Sequence, residues 1–358
     1  MRLRCTDLLA APRSYAHLMV AGTNPTLYDV AREAGVSLAT ASRSLNGSVR
    51  KVKDEYRERV VEAAARLGYT ANMSAQAVAR GASSTVALLV SDIADPYFSS
   101  IAAGVIRAAE AEGLAVTMAV TERDPEREVE LVKMLRGQRP RVIVLAGSRF
   151  VGEDEHSGLV DELNAFANGG GRVVLISQHS LPFDTVSIDN AGGAAALARE
   201  LADLGYRGFA VLAGPEDLVT ARDRAQAFIG ELGTLGIPVR TVAHGAFTRD
   251  AGYETMSTLV DEGLEGIDLV FAVNDVMAVG AMSSLRDRGI DVPGQIAVAG
   301  FDDISTARDV SPALTTVRVP LEEAGVASVG LALADRGDTD AVTEIAAVVV
   351  LRESTPGV

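Results

Sequence analysis

Several polar side chains in the second half of the chain could together bind a small polyol. Arg224 offers a rigid fork of donors, Asn274 a donor and an acceptor, and Asp302 a pair of acceptors. Vicinal hydroxyl groups could be held bidentately by this set. The apolar face of a sugar ring needs an aromatic platform, and because the chain has no Trp, Phe98 and Phe247 are the candidates. The alternative for Arg224 is a solvated surface side chain.

These residues follow strand-like segments that alternate with helical ones. Apolar runs typical of buried parallel strands are TVALLVS, LAVTMAV, RVIVLAG and RVVLIS, and after TVSIDN the cycle repeats with GFAVLAG, TVAHGAF, LVFAVN and IAVAGFDD. Residues 98–112 are one of the intervening stretches with helical spacing. Two such rounds predict an α/β fold of two doubly wound subdomains, in which ligands bind outside the carboxyl ends of the strands.

The strand-end rule selects the predicted ligand contacts. They are Asp92, Phe98, Ser148, Gln178, Thr220, Arg224, Phe247, Asn274 and Asp302. Seven other residues also lie at the carboxyl ends of predicted strands, and they are Ser91, Arg149, Asp189, Asn190, Arg222, Asp275 and Asp303. Asn274 and Asp275 could instead cap the helix that follows them, as could Asp189 and Asn190. Phe98 could be a core residue.

Residues 26–46 have the spacing of two short helices joined by a tight turn. Thr26 can cap the first helix, whose apolar stripe is Leu27, Val30, Ala31 and Ala34. Gly35 can take a positive φ, and Ser37 can cap a second helix only two positions later. Near its start that helix carries Leu38, Ala39, Thr40, Ser42 and Arg43, where a recognition helix meets base edges. An ordinary αα-hairpin in a core is the alternative.

The strings TLYDVAREAGVS, ATASRSLNG and RVVEAAARLGY resemble the headpiece of the LacI/GalR family of bacterial transcription regulators. Later strings that resemble the same family are DPYF, VTARDRAQAF, VFAVNDVMAVGA, VAGFDDIS, LTTVRVP and LRESTPG. The resemblance extends over nearly all of the chain beyond Asn24. It implies an N-terminal three-helix helix-turn-helix headpiece and a hinge, followed by two doubly wound α/β subdomains of the periplasmic-binding-protein-like type I fold.

The predicted domain division follows from these segments. Residues 1–23 form a disordered N-terminal arm, with Met19 as an alternative start; residues 24–70 form the headpiece and residues 71–83 the hinge. Residues 84–358 form the effector-binding domain. Its N-subdomain comprises about 84–187 and 318–335, and its C-subdomain about 188–317 and 336–358.

The resemblance also implies which residues contact DNA. They are Thr26, Leu27, Tyr28, Ser37, Leu38, Ala39, Thr40, Ser42, Arg43, Asn46, Asn72, Ala75 and Val78. The family commonly has Pro at the position of Ala71, and Leu at that of Val78 as a wedge into the minor groove. Val78 is a shorter wedge, so it should unstack the central base step less. A plain flexible linker is the alternative for the hinge.

The function that the resemblance implies is a sequence-specific DNA-binding regulator, a repressor, controlled by a small effector that we expect to be a sugar. Half-sites in pseudo-palindromic operator DNA require a two-fold homodimer, and the chain ends directly after LRESTPG without the heptad helix of the family's tetramers. The family contains both inducers and corepressors. A solute-binding protein of the same two-subdomain fold, without a DNA role, is the alternative.

Charge and motif content agree with this function. Of the net charge of −15, residues 24–81 carry +3 and the first 23 residues +2, so residues 82–358 carry −20; only the N-terminal region suits phosphate. Cys5 is the only cysteine, which fits a reducing cytoplasm, with the protein at the nucleoid. There is no apolar run long enough for a membrane span. No nucleotide loop, metal-ligand spacing or nucleophile elbow occurs, so we expect neither an enzyme nor a cofactor.

Overall fold

The computed structural model of the protein describes residues 25–46, 52–70, 84–152, 158–335, 337 and 339–358. The chain forms two compact units, the first containing the three N-terminal helices and the second residues 84–358. The predicted arm at residues 1–23 lies outside the described residues. So does the whole of the predicted hinge, residues 71–83. Within the described ranges, no helix is long and apolar enough to cross a membrane.

The first unit consists of α1 (Leu27–Ala34), α2 (Leu38–Asn46) and α3 (Asp54–Leu67). Their apolar faces meet in a small core of buried residues, which are Val30, Ala31, Ala34, Ala41, Val60, Ala63 and Ala64. The members from α1 recur at helical spacing, because only one face of the helix is covered. The predicted three-helix unit is confirmed.

The second unit contains two parallel sheets with helices on their faces. The strands of the first sheet are β1 (Thr85–Val90), β2 (Ala115–Val120), β3 (Val142–Ala146), β4 (Arg172–Ile176), β5 (Asp184–Ile188) and β11 (Val342–Ile345). The strands of the second are β6 (Phe209–Ala213), β7 (Val239–His244), β8 (Leu269–Ala272) and β9 (Ala297–Ala299). A separate antiparallel pair is formed by β10 (Thr316–Arg318) and β12 (Val348–Val350).

Helices alternate with these strands along the chain. Those that follow strands of the first round are α4 (Pro96–Ala111), α5 (Pro125–Gly137) and α6 (Leu159–Asn168). Those of the second round are α7 (Asn190–Asp203), α8 (Val219–Thr234), α9 (Arg249–Glu262), α10 (Asp275–Asp287) and α11 (Thr306–Asp309). The chain then returns to the first sheet through α12 (Leu321–Leu333), which packs against α4 and β4.

The strand order is β11-β5-β4-β3-β1-β2 in the first sheet and β7-β6-β8-β9 in the second. Central strands are buried on both faces. In β1, Val86, Leu88 and Val90 face one core, whereas Ala87 and Leu89 face another, because successive side chains point to opposite faces of a strand. The two predicted doubly wound subdomains are confirmed, and all their strand carboxyl ends are followed by loops or helix starts.

One predicted boundary is wrong. The predicted C-subdomain includes all of residues 336–358, but β11 is the edge strand of the first sheet, parallel to β5 with Ile345 opposite Ile188. The Ala341 amide donates to the Asp184 carboxylate over 2.8 Å, which fixes this edge. Because β11 is half-exposed and has only two apolar residues, its sequence does not indicate to which of the two sheets it belongs.

Candidate functional site

The first helix of the N-terminal unit begins at a reciprocal cap. The Asp29 amide donates to Thr26 Oγ1 over 3.4 Å, and the Thr26 amide donates to the Asp29 carboxylate over 3.0 Å. This capping box satisfies two amides that have no partner within the helix. The Thr26 bonds lower the pKa of Asp29, which keeps a negative charge at the positive end of the helix dipole.

The turn between α1 and α2 requires Gly35. Its φ is +65°, in the left-handed region, and its amide caps α1 by donating to the Arg32 carbonyl over 3.2 Å. The Arg59 guanidinium of α3 donates to the Ala34 carbonyl, and a Cβ on Gly35 would lie 2.7 Å from that guanidinium. The third helix therefore holds the bend, and Ser37 caps α2 by accepting from the Thr40 amide over 3.2 Å.

The start of α2 exposes an apolar and lightly polar surface. Leu38 is 49% exposed, and the next residue, Ala39, is also exposed. Tyr28 of α1 is 65% exposed. Arg43 Nε donates to the Ala39 carbonyl over 3.0 Å. Leu38 and Tyr28 are thus large side chains that the small core of this unit leaves uncovered.

A cavity of about 40 Å³ lies between the two subdomains of the second unit. Its lining residues come from both sheets at the carboxyl ends of strands, and they are Ser91, Asp95, Tyr97, Phe98, Arg123, Ser148, Leu218, Thr220, Arg224, Phe247 and Asp302. At roughly 10–15 Å³ per water, the cavity has room for about three waters. Little free space therefore remains between these side chains.

Hydrogen bonds close the cleft from one subdomain to the other. The Val151 amide donates to the Asp217 carbonyl over 2.9 Å and the Val219 amide to the Arg149 carbonyl over 3.0 Å. The Thr220 amide donates to Ser148 Oγ over 3.0 Å, and Gln178 Nε2 donates to Thr220 Oγ1 over 2.8 Å. The loop after β3 and the start of α8 are thereby joined, so this is a closed arrangement.

Arg224 is the central charged group of the cleft. Its side chain is 1% exposed, and its Nη2 lies 2.7 Å from a carboxylate oxygen of Asp302. Its Nε donates to Asn190 Oδ1 over 2.8 Å and its Nη1 to the Val273 carbonyl over 2.9 Å. The guanidinium also stacks 3.9 Å from the centre of the Phe301 ring. The surface alternative for Arg224 is wrong, because tertiary packing buries it.

Three carboxyl groups near Arg224 have raised pKa values. Burial raises the pKa of Asp302 to about 7, against the lowering effect of Arg224. Burial also raises the pKa of Asp95, which Arg123 opposes from 3.7 Å. Asp275 is wholly buried below the cleft, and burial with repulsion from Asp302 raises its pKa to about 8. Burial thus disfavours the charged forms of these carboxyl groups, and in such low-dielectric surroundings hydrogen bonds to a ligand are strong.

The loop that carries Asp302 has an unusual backbone. Asp302 has a φ of +119° and Asp303 a φ of +54°, a conformation that costs a residue with a side chain roughly 1–3 kcal/mol. Asp303 binds the guanidinium groups of Arg318 and Arg352, and Asp302 binds Arg224. These ion pairs hold the strained loop where it faces the cavity.

Both units match known proteins. The family model described as "Bacterial regulatory proteins, lacI family" matches residues 26–72, and that described as "Periplasmic binding protein-like domain" matches residues 198–355. The transcriptional regulator GalR of Escherichia coli is 32% identical over 340 residues, which cover 92% of this chain and 96% of that protein. The chain belongs to the LacI family of bacterial regulatory proteins. It is a helix-turn-helix transcriptional regulator and not an enzyme, and the alternative of a solute-binding protein leaves its N-terminal unit unexplained.

Two solved structures resemble this LacI-family regulator over most of its length. The lac repressor dimer bound to operator and the anti-inducer ONPF has a TM-score of 0.79 at 26% identity, covering 93% of this chain and all of that chain. The CelR–cellobiose complex has a TM-score of 0.67 at 31% identity, covering 92% of this chain and 99% of that chain.

Of the predicted ligand contacts, the structure brings six to the cavity lining. These are Phe98, Ser148, Thr220, Arg224, Phe247 and Asp302. Gln178 lies just behind them, bound to Thr220. Asp92 lies outside the lining and accepts from the Ala94 amide over 2.9 Å. Phe98 is both lining and core, since it is only 6% exposed.

Asn274 has a local role. Its side chain accepts from the Met277 amide over 2.9 Å and caps α10, so the capping alternative is confirmed. Asp189 likewise caps α7 by accepting from the Gly192 amide. Asn274 is wholly buried, and among the described atoms its Nδ2 has no hydrogen-bond partner. It does not line the cavity, because helix capping turns its side chain into its own helix.

Sequence reasoning missed four lining residues, which are Asp95, Tyr97, Arg123 and Leu218. Arg123 follows the carboxyl end of β2 and Asp95 caps α4 after β1, so the strand-end rule could have found both. Tyr97 and Leu218 carry no polar strand-end signal. Among the predicted DNA contacts, Asn72, Ala75, Val78 and the side chain of Asn46 lie outside the described residues.

Proposed function

We propose that this regulator is a repressor whose affinity for operator DNA is controlled by a sugar bound in the cleft between its subdomains. The observation that carries the proposal is the meeting of one buried ion pair, Arg224–Asp302, with hydroxyl side chains and two phenyl rings in a single cavity. Guanidinium and carboxylate bind vicinal hydroxyls, and phenyl rings cover the apolar face of a sugar ring. The cellobiose complex of the similar CelR supports the ligand class.

The closed cleft gives the mechanism. The hydrogen bonds between residues 148–151 and 217–220 close the cleft, so the subdomains separate and these bonds break as a sugar enters. The effector shifts the equilibrium between open and closed arrangements only by its different affinity for the two. Either an inducer or a corepressor could act in this way, depending on which arrangement the operator-bound dimer adopts.

On the DNA side we propose that α2 enters the major groove. The proposed contacts among the described residues are the exposed or partly exposed ones around its start: Thr26, Leu27, Tyr28, Ser37, Leu38, Ala39, Thr40, Ser42 and Arg43. Leu38 and Ala39 suit thymine methyl groups, and Arg43 suits guanine. Two-fold half-sites call for a homodimer, as in the lac repressor dimer bound to operator. We place the regulator in the cytoplasm at the nucleoid, where its DNA lies.

A thermal-shift screen of mono- and disaccharides tests the effector proposal, because a ligand that binds only the native state raises the midpoint of unfolding. The stabilising sugar should lose its effect on Asp302→Asn. It should keep its effect on Asp250→Asn, a matched control whose side chain is 84% exposed and pairs with the exposed Arg249. If the sugar stabilises all three proteins equally, the cleft is not its site.

The DNA proposal is tested by selecting bound duplexes from a random library with the full chain. A pseudo-palindromic consensus should emerge. Adding the stabilising sugar should then change the affinity for that consensus in wild type but not in Asp302→Asn. A sugar that binds without changing DNA affinity would contradict effector control.

A further inference from the structure

A basic loop lies at the amino-terminal edge of the first sheet, away from the effector cleft. Residues 136–141 read RGQRPR and run from the last two residues of α5 to the start of β3. The loop carries three guanidinium groups within six residues, although residues 82–358 carry a net charge of −20. Cations concentrated in an acidic domain indicate a local preference for an anion.

Two of the three arginines have no ion pair among the described residues. Arg136 binds Glu162 over 3.1 Å. Arg139 and Arg141 are exposed, and the described structure gives their side chains no hydrogen bond or ion pair. Arg139 also has a backbone φ of +54°, in the left-handed region. Its backbone amide donates a hydrogen bond to the Arg136 carbonyl, which closes this turn. Two free charges are therefore presented on a fixed turn.

A shallow depression of about 370 Å³ lies beside the loop. Arg136 and Arg139 line it together with Pro140, Ala165, Phe166 and the glycine run 169–171. Because glycines lack a Cβ, a polymer backbone can approach that part of the lining closely.

The loop lies beside the start of the first strand of the second unit. The Arg141 amide donates to the Thr85 carbonyl over 2.9 Å, and β1, which begins at Thr85, is the first strand after the N-terminal helices in the sequence. The effector cleft lies at the opposite, carboxyl ends of the same strands. The free charges are therefore at the end of the sheet where, in the sequence, the second unit begins.

From this juxtaposition we propose that Arg139 and Arg141 contact DNA phosphates, so that the effector-binding unit adds a sequence-independent contact to those of the helix-turn-helix unit. The inference rests on the proposed function. Phosphate contacts release counterions and make binding salt-dependent, whereas base contacts set sequence preference. The loop should therefore contribute affinity without changing which sequence is preferred.

The test is the salt dependence of binding by the full chain to a fluorescent duplex of random sequence, measured by anisotropy at KCl concentrations from about 50 to about 300 mM, the range in which counterion release dominates. Wild type is compared with R139Q/R141Q. The control R240Q/R308Q removes the same charge from two exposed arginines of the second round, neither of which has an ion pair in the described structure. Light scattering must give the same mass for all three proteins.

Each phosphate group that the protein no longer neutralises should make the slope of log K against log salt shallower by roughly 0.9, or about 1.8 per chain for R139Q/R141Q. The control should keep the wild-type slope. Equal slopes for wild type and R139Q/R141Q overturn the proposal, whatever other anion the loop binds. If wild type itself does not bind the duplex, the proposed DNA-binding function fails with it, and that outcome is distinct because it does not depend on the loop.

Discussion

The buried pair Arg224–Asp302 allows a quantitative prediction. Asp302→Asn keeps the shape of the side chain but removes the negative charge 2.7 Å from a guanidinium that is 1% exposed. Breaking a buried pair costs about 3–5 kcal/mol, because the remaining charge stays desolvated. Asn190 and the Val273 carbonyl still bind Arg224, and the Asn amide oxygen can still accept, so we expect the lower value of about 3 kcal/mol. The unfolding midpoint should fall by roughly 6–12 °C.

A double-mutant cycle isolates the pair. Urea unfolding is measured for wild type, Asp302→Asn, Arg224→Met and the double variant at one pH above the Asp302 pKa of about 7, so that its carboxylate is charged. The double variant buries no unpaired charge, so it should be more stable than the sum of the single losses predicts, by about 2 kcal/mol. The exposed pair Arg107–Glu322, with N and O 2.6 Å apart and side chains 65% and 52% exposed, is the control and should couple by at most about 1 kcal/mol.

The reasoning is refuted if the Arg224–Asp302 coupling falls below about 0.5 kcal/mol, the level at which distant sites are additive. Such a value would mean that the two groups do not share a buried ion pair in the folded protein. A variant that merely fails to fold is recognised by its circular dichroism, and the uncharged Arg224→Gln then replaces Arg224→Met in the cycle.

Three further predictions concern other parts of the molecule. The folded-state pKa of Asp275 is raised from 3.8 to about 8, so its stabilising contribution is complete below pH ~4 and is lost as pH rises through about 8. The melting point of wild type should therefore fall relative to that of Asp275→Asn between about pH 5 and about pH 8.5, and a constant difference would contradict this. Thr26→Ala removes the α1 cap and should cost about 1 kcal/mol, seen as faster hydrogen exchange of α1 amides; unchanged exchange would count against the capping box. Arg43→Ala should lose roughly 1–3 kcal/mol of operator binding and relax preference at one base pair per half-site, whereas uniform weakening across sequences would indicate a phosphate contact.

The sequence alone determined the helix-turn-helix unit almost completely. Thr26, Gly35 and Ser37 act through bonds to neighbours within a few residues, so their roles can be read from local spacing. The alternation of apolar strands and helices likewise predicted two doubly wound subdomains, because a strand buried on both faces must be apolar throughout.

Only the tertiary structure decided which strand-end residues meet. Sequence position places a residue at the edge of a sheet but does not show whether its side chain faces the cleft or a local partner, and Asn274 faces its own helix while Arg123 reaches the cavity. The partners of Arg224 are 34, 49 and 78 residues away, and the neighbour of β11 is β5, which lies far earlier in the chain. Contacts at such separations depend on the packing of the whole chain, because no local spacing rule connects them.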